Sequence, residues 1–322
     1  MILVDFGLED EAKSFSTYNH YLTSYRYVLE GLYGNGDEVL VNLESAVRST
    51  AGFRNVEARE RPQDLYEKAL SNAWSTEAAL YLPARLGGEE LMPCANHWAT
   101  IQAYYALYPL LRAFVAVRSG SAPEPRHAWL LDQISETTTG QELFPSPWNV
   151  VCQGHQKAYS FGGLPQGVGI HDFSPLSRPR PEDAWSSVCK ALKTTRRDRI
   201  EEKVGGWKKE QKRKRIPRDQ RQQLGVTTKA TTVFNFLYRF RIRSNYRDAD
   251  AFAAGTLRPA DAVHFNESLR LLVSASMFML ELIIDAYLGA GCLEMVGKRF
   301  LRMTPNMAEE TLGKRLAYFE GS

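Results

Sequence analysis

NHWATIQAYYALYPLLRAFVAVRSG, residues Asn96 to Gly120, is the stretch on which the fold turns. Trp98, Ile101, Tyr105, Tyr108, Leu111, Phe114 and Val115 recur three or four apart, which puts them on one face of a helix. Ala99, Ala103, Ala106 and Ala113 fill the flanks with small side chains that let neighbouring helices come close. A helix with a wide apolar face and few charges is expected to be the most buried element of an all-α core. Asn96 is placed to cap its start. The Ser119-Gly120-Ser121 run is placed to stop it, and Pro109 to kink it by removing one backbone hydrogen bond.

Working outward, Arg61-Pro62-Gln63-Asp64 opens a helix with Leu65, Tyr66, Ala69 and Leu70 on one face. Ser75-Thr76-Glu77 opens a second apolar piece that ends before Gly87-Gly88. Nearer the start, Ser16 to His20 and Tyr33 to Asp37 read as turns between helical pieces. After Pro123-Glu124-Pro125 a new helix begins at Arg126-His127. From Gly140 to Arg180, prolines and glycines break any long helix, so Val150 to Cys152 and Ala158 to Phe161 are short strands or irregular chain. Asp183 to Val204 reads as helix. Pro259 suits the first position of the last strong helix. Its stripe of Leu269, Leu272, Val273, Ser276, Met277, Leu280, Ile283, Ile284 and Tyr287 makes it the partner of the central helix. Lys298 to Phe319 is a further short helical piece.

The expected fold class is therefore all-α, a mainly helical bundle with an irregular Pro/Gly-rich and basic insertion. Residues 1–139 hold the N-terminal helices and the first half of the core. Residues 140–229 are the insertion, and 230–322 the second half and the tail.

A chain of 322 residues can bury a sizeable core. Met1-Ile2-Leu3-Val4 runs straight into acidic residues, unlike a secretory signal. The most apolar stretch, Leu269 to Leu288, is interrupted by Glu281 and Asp285, so no membrane association is expected. Cys94, Cys152, Cys189 and Cys292 form no CxxC pair, which suits a reducing cytoplasm and argues against a zinc site or a disulfide framework. His97, His155 and His171 show no ligand constellation, so neither a metal nor a cofactor is expected. Gly162-Gly163 and Gly167-Val168-Gly169 lack the strand-then-helix context of a phosphate loop, and no GxSxG or nucleophilic Cys context occurs.

The net charge of +3 conceals an asymmetry: Arg178 to Arg221 holds sixteen Lys/Arg against seven Asp/Glu, a balance of +9, which leaves −6 for the rest. Lys208, Lys209, Lys212, Arg213, Lys214, Arg215 and Arg218 are either a solvated face or a surface for a nucleic-acid backbone, where bound phosphates release counterions. Trp185 and Trp207 beside them either stack on bases or anchor the segment.

Tyr104-Tyr105-Ala106-Leu107-Tyr108 with Arg112-Ala113, His127 after a Pro-containing loop, and Arg241-Ile242-Arg243-Ser244-Asn245-Tyr246 together resemble the HEPN superfamily of helical domains. The resemblance covers roughly residues 75–135 and 230–290, and Ser244 and Asn245 replace an Ala and an Asp of the family pattern. Many HEPN proteins are metal-independent ribonucleases, often toxins or antiviral-defence effectors, and work as dimers. Their signature of Arg, four to six residues, then His is matched by Arg258 and His264, with Pro259 standing where a polar residue often follows. The resemblance implies RNA cleavage with His264 moving protons and Arg258 stabilising the phosphate. His127, Arg241 and Tyr246 are accessory candidates, with Arg241 and Tyr246 expected to tie the preceding loop to the last helix. The expected partners are RNA or another nucleic acid and a second copy or another protein. The alternatives are a non-catalytic HEPN-like binding module and a subunit of a larger nucleic-acid complex.

Overall fold

A computed structural model describes residues 6–155, 158–248, 252, 259–304 and 308–319, and shows a helical bundle with one small hairpin. In chain order the elements are α1 (Phe6–Tyr33), α2 (Glu38–Ser49), α3 (Ala51–Arg54), α4 (Glu67–Leu86), α5 (Gly88–Ser119) and α6 (His127–Gly140). Strands β1 (Val151–His155) and β2 (Ala158–Gly162) follow, then α7 (Ala184–Glu210), α8 (Arg218–Thr227), α9 (Val233–Ile242), α10 (Pro259–Leu288) and α11 (Cys292–Met303). A mainly all-α fold is what the helical periodicity predicts.

Helix α5 is the centre, packed between α4 and α10. Its buried face differs from the one the aromatic spacing predicts. Ala99, Ala103, Tyr104, Ala106, Leu107, Leu110 and Ala113 are buried, whereas Trp98 is 60% exposed and Ile101, Tyr105 and Tyr108 are half-buried. Two helices close on α5 at once, and alanines permit that approach where large rings do not. Leu111, Phe114 and Val115 are buried as expected. The helix also starts two turns earlier than predicted, at Gly88, and runs through Pro93 and Pro109. Asn96 is consequently not its cap but a buried clamp. Its Nδ2 donates to the Ala262 carbonyl at 2.9 Å, and its Oδ1 accepts from Asn266 Nδ2 at 3.1 Å, which locks α5 to α10. The stop is as expected: Gly120 adopts φ 73° and its N–H closes on the Ala116 carbonyl.

Two local expectations are corrected and one alternative is resolved. Ser16 to His20 is not a turn, because α1 runs unbroken through it. The hydroxyls there fold back on helix carbonyls, Thr17 onto Lys13 at 2.9 Å and Ser24 onto His20 at 2.8 Å. Ser75 does not open a second helix; a single 3₁₀ turn, Gln63–Leu65, precedes one continuous α4. Thr76 there bonds back to the Asn72 carbonyl at 2.8 Å. Between 140 and 180, the alternative of strand or irregular chain resolves into an antiparallel hairpin in which Val151 faces Gly162 and His155 faces Ala158. Residues of the segment read as an insertion, Trp148, Val188 and Leu192 among them, enter the common core, and α7 packs on α1 and α9.

Helix α10 is long and apolar enough to cross a membrane, and 72% of its most apolar window is buried within the chain.

Two buried guanidiniums tie distant segments together. Arg196 has no carboxylate partner among the described residues and donates to the carbonyls of Lys229, Gly225 and Thr228 at 2.8 to 3.1 Å, and also to that of Gly154, tying the hairpin to the end of α8. Arg315 grips both oxygens of Glu77 at 2.7 Å and those of Glu281 at 2.7 and 2.9 Å. All three side chains are at most 1% exposed. Removing the cation would strand two carboxylates in the core. Arg315→Met is therefore expected to lose about 3–5 kcal/mol in urea unfolding. Glu77→Gln keeps a hydrogen-bonding amide and removes the surplus charge, so about 1 kcal/mol is expected. Equal losses would show that the cluster is not an electrostatic unit.

Candidate functional site

Along α1, Ser16, Asn19, His20, Thr23, Arg26 and Glu30 fall three or four apart and share one polar face. That face forms a cleft of about 780 Å³ with the loop Leu176 to Pro179 and with Asp261, His264 and Ser268 at the start of α10. His264 is 65% exposed there, its Nδ1 3.8 Å from Glu267 Oε2. The same oxygen accepts from Arg26 Nη1 at 3.0 Å, and Arg26 Nε holds Glu30 at 2.6 Å. Glu267 thus couples His264 to a guanidinium. Arg258 lies outside the described residues.

His20 is the residue that the sequence reading missed. It is buried, and its Nδ1 lies 3.0 Å from the Ser177 carbonyl oxygen, which only accepts. Nδ1 therefore carries the proton and Nε2 the lone pair. Burial lowers the pKa of the imidazole and keeps it neutral, and Phe173 stacks on it at 5.0 Å. His20 Nε2, Asn19 Oδ1 and Ser268 Oγ have no hydrogen-bond partner among the described residues, and all three side chains line the cleft. Arg178 adds an exposed cation to the same wall. The cleft therefore exposes one histidine, His264, and the guanidinium of Arg178, with Arg26 held between Glu30 and Glu267 and His20 buried behind them.

The accessory candidates separate from this cleft. His127 opens α6, and Arg241 ends α9 against the tyrosines of α5. Tyr104 Oη lies 2.8 Å from His127 Nδ1, and the Arg241 guanidinium lies over the rings of Tyr105, Tyr104 and Tyr238 at 4.9, 5.7 and 5.8 Å. These aromatic faces hold Arg241, and the loop it was expected to tie to the last helix lies outside the described residues. Tyr246 is 71% exposed and joins neither group.

The basic residues form a tip at the far end of α7. Lys209, Lys212, Arg213, Lys214, Arg215 and Arg218 are exposed, Lys208 is half-buried, and none is in an ion pair with a described residue. At 1.5 Å rise per residue the tip stands about 30 Å from Lys190, which lies beside Phe173 near the cleft. Trp185 packs against the core and Trp207 is half-buried, so Trp185 anchors the segment.

One further cluster imitates a catalytic relay. His171 Nε2 is 2.7 Å from Asp183 Oδ1, and its Nδ1 is 3.2 Å from Ser186 Oγ. Ser186 is 2% exposed and its oxygen already accepts the His171 N–H at 3.0 Å. No substrate reaches it, and the cluster pins the loop to the start of α7. Among the described residues no three His, Cys, Asp or Glu side chains are grouped to hold a metal ion.

The depressed pKa of His20 has a stability consequence. Below its ordinary value of 6.5 the unfolded histidine takes a proton that the folded one resists, so stability is present above that pH and lost as pH falls. His127 is lowered as well, first by burial and then by Arg241 and Arg112. The urea midpoint is expected to drop between about pH 7 and about pH 5.5, and His20→Asn should flatten part of that slope. An identical slope in His20→Asn would mean that the group titrates freely. No family model, no curated protein and no solved structure matches this chain.

Proposed function

We propose that this chain is a HEPN-like helical protein that binds RNA and cleaves it without a metal ion, in the cleft between α1 and the start of α10. The observation that supports it is the cleft shared by His20 and His264. Water in the cleft takes the proton of a ribose 2′-hydroxyl, because His20 Nε2 is buried in the cleft wall. The 2′-oxygen then attacks the adjacent phosphorus, and His264 protonates the departing 5′-oxygen. The products are a 2′,3′-cyclic phosphate and a free 5′-hydroxyl. Arg26 and Arg178 stabilise the charge that gathers on the phosphoryl oxygens, and Arg258 joins them as the resemblance implies. The basic tip of α7 holds the backbone by counterion release and contributes affinity without sequence preference.

Purified full-length protein incubated with RNA in a chelating buffer tests this. Cleavage to cyclic-phosphate ends is expected, with a loss of about 100-fold in His264→Ala at matched circular dichroism. Undiminished cleavage by a folded His264→Ala protein removes the catalytic reading. RNA bound with steep salt dependence but never cut favours the non-catalytic binding module, and binding that survives charge reversal across Lys208 to Arg218 detaches the tip from either reading.

A further inference from the structure

Lys193, Arg197, Ile200 and Glu201 fall three or four apart on α7 and share the face that looks toward the hairpin and α8. With His155 of β1, Tyr159 of β2 and Arg221 of α8 they line a pocket of about 300 Å³. None of these residues lines the His264 cleft, contacts Arg241 or belongs to the basic tip at Lys208 to Arg218.

Two buried nitrogens in this pocket point to an occupant. His155 Nδ1 and Arg221 Nε are closed off from solvent, and neither has a hydrogen-bond partner among the described residues. Buried polar atoms are normally paired, and leaving one unmet is costly. The imidazole is also held in place. A Cβ at Gly225 would come within 2.5 Å of His155 Cβ, so the histidine lies hard against the α8 backbone. Arg196 meanwhile grips the carbonyls of Gly154, the residue before His155, and of Gly225. The site is thus built before any ligand arrives.

Charge decides what kind of ligand fits. Among the described residues the pocket carries Lys193, Arg197 and Arg221 against one carboxylate, Glu201, which Arg221 Nη2 engages. Asp198, beside Arg197 in the chain, is taken by α9: it binds Arg239 at 2.6 Å and Arg243 at 2.8 Å, and lies 4.0 Å from Arg197 Nε. Lys193 Nζ stands 5.4 Å from the centre of the Tyr159 ring, which places the ammonium without offering it an acceptor oxygen. A surplus of two positive charges remains. A planar carboxylate is satisfied by a single guanidinium fork, whereas donors from β1, α7 and α8 suit an anion with oxygens on every side. A phosphate group is tetrahedral and carries close to two negative charges near neutral pH. The volume admits one such group with a small substituent and not a strand.

We propose that this pocket binds a phosphate dianion, as the free ion or as the end of a small monoester, on Lys193, Arg197, Arg221 and His155. Inorganic phosphate and ribose 5-phosphate, titrated by calorimetry into the full-length protein at low salt, test this, with acetate as competitor. Phosphate is expected to bind wild type and His264→Ala alike, to resist displacement by equimolar acetate, and to bind roughly tenfold more weakly or worse in Lys193→Gln and Arg221→Gln. Lys193 is exposed, so its variant reports even where Arg221→Gln unfolds. Ribose 5-phosphate binding as tightly as the free ion supports an ester end as the ligand; binding of the free ion alone supports inorganic phosphate. Unchanged binding in folded Lys193→Gln overturns the proposal, as does absence of binding to folded wild type. Displacement by equimolar acetate overturns the choice of phosphate. Binding lost in His264→Ala, or on charge reversal of the tip, assigns the anion to those places and equally overturns it.

Discussion

One fully buried guanidinium faces two fully buried carboxylates in this molecule. Arg315 comes from the C-terminal segment, Glu77 from α4 and Glu281 from α10, so the cluster fastens the two helices that flank α5. Burying three charges is expensive, and only close, multiply hydrogen-bonded geometry offsets that cost. Trp74 Nε1 adds a bond to Glu281 at 2.8 Å and Ser274 meets Arg315 at 3.2 Å, so the polar atoms of the cluster are well supplied. The surplus negative charge falls on the carboxylates; burial raises the pKa of Glu77 despite its arginine. Because α10 is clamped here and again at Asn96 and Asn266, its first turns stand at a fixed place beside α1. The position of His264 follows from that.

Periodicity alone shows α5 and α10, their pairing and the glycine stop at Gly120. It does not show which face of α5 is buried. A count of apolar residues favours Trp98, Tyr105 and Tyr108, since rings weigh heavily. The actual interface runs through Ala99, Ala103 and Ala106, whose value lies in what they leave out. Asn96 misleads for a related reason: an amide ahead of an apolar run reads as a cap, and only the arrival of Asn266 makes it a clamp. Glu77 and Arg315 stand 238 residues apart, so no local pattern reveals them.

The candidate site was half legible. His264 at the opening of α10 follows from the resemblance, and the structure sets it in a cleft. His20 was hidden by Ser16, Thr17 and Asn19, which locally favour a turn; tertiary packing of Phe15, Tyr18 and Leu22 overrides that preference and extends the helix. Once α1 is known to be helical, its polar stripe every three or four residues is visible in the sequence and stands out against an otherwise buried helix. Arg241 was found by its motif, but its contact with Tyr104 and Tyr105 was not, because those rings lie more than a hundred residues earlier in the chain.

The distance between the basic tip and the cleft constrains how the proposed activity operates. About 30 Å of α7 separates them, equivalent to about nine stacked nucleotides at 3.4 Å each. No single short ligand touches both, so affinity and chemistry belong to different parts of the surface. Phosphates held at the tip raise the local concentration of a long strand around the cleft without placing any particular bond in it. Selection of the bond then rests on the α1 and α10 walls, where charges are nearly balanced: Arg26, Arg178 and the histidines against Glu30, Asp261 and Glu267. A site so poised attracts phosphate weakly by itself. Under the proposed function it would act on strands long enough to be tethered elsewhere, which would make chain length, more than base identity, the property it discriminates.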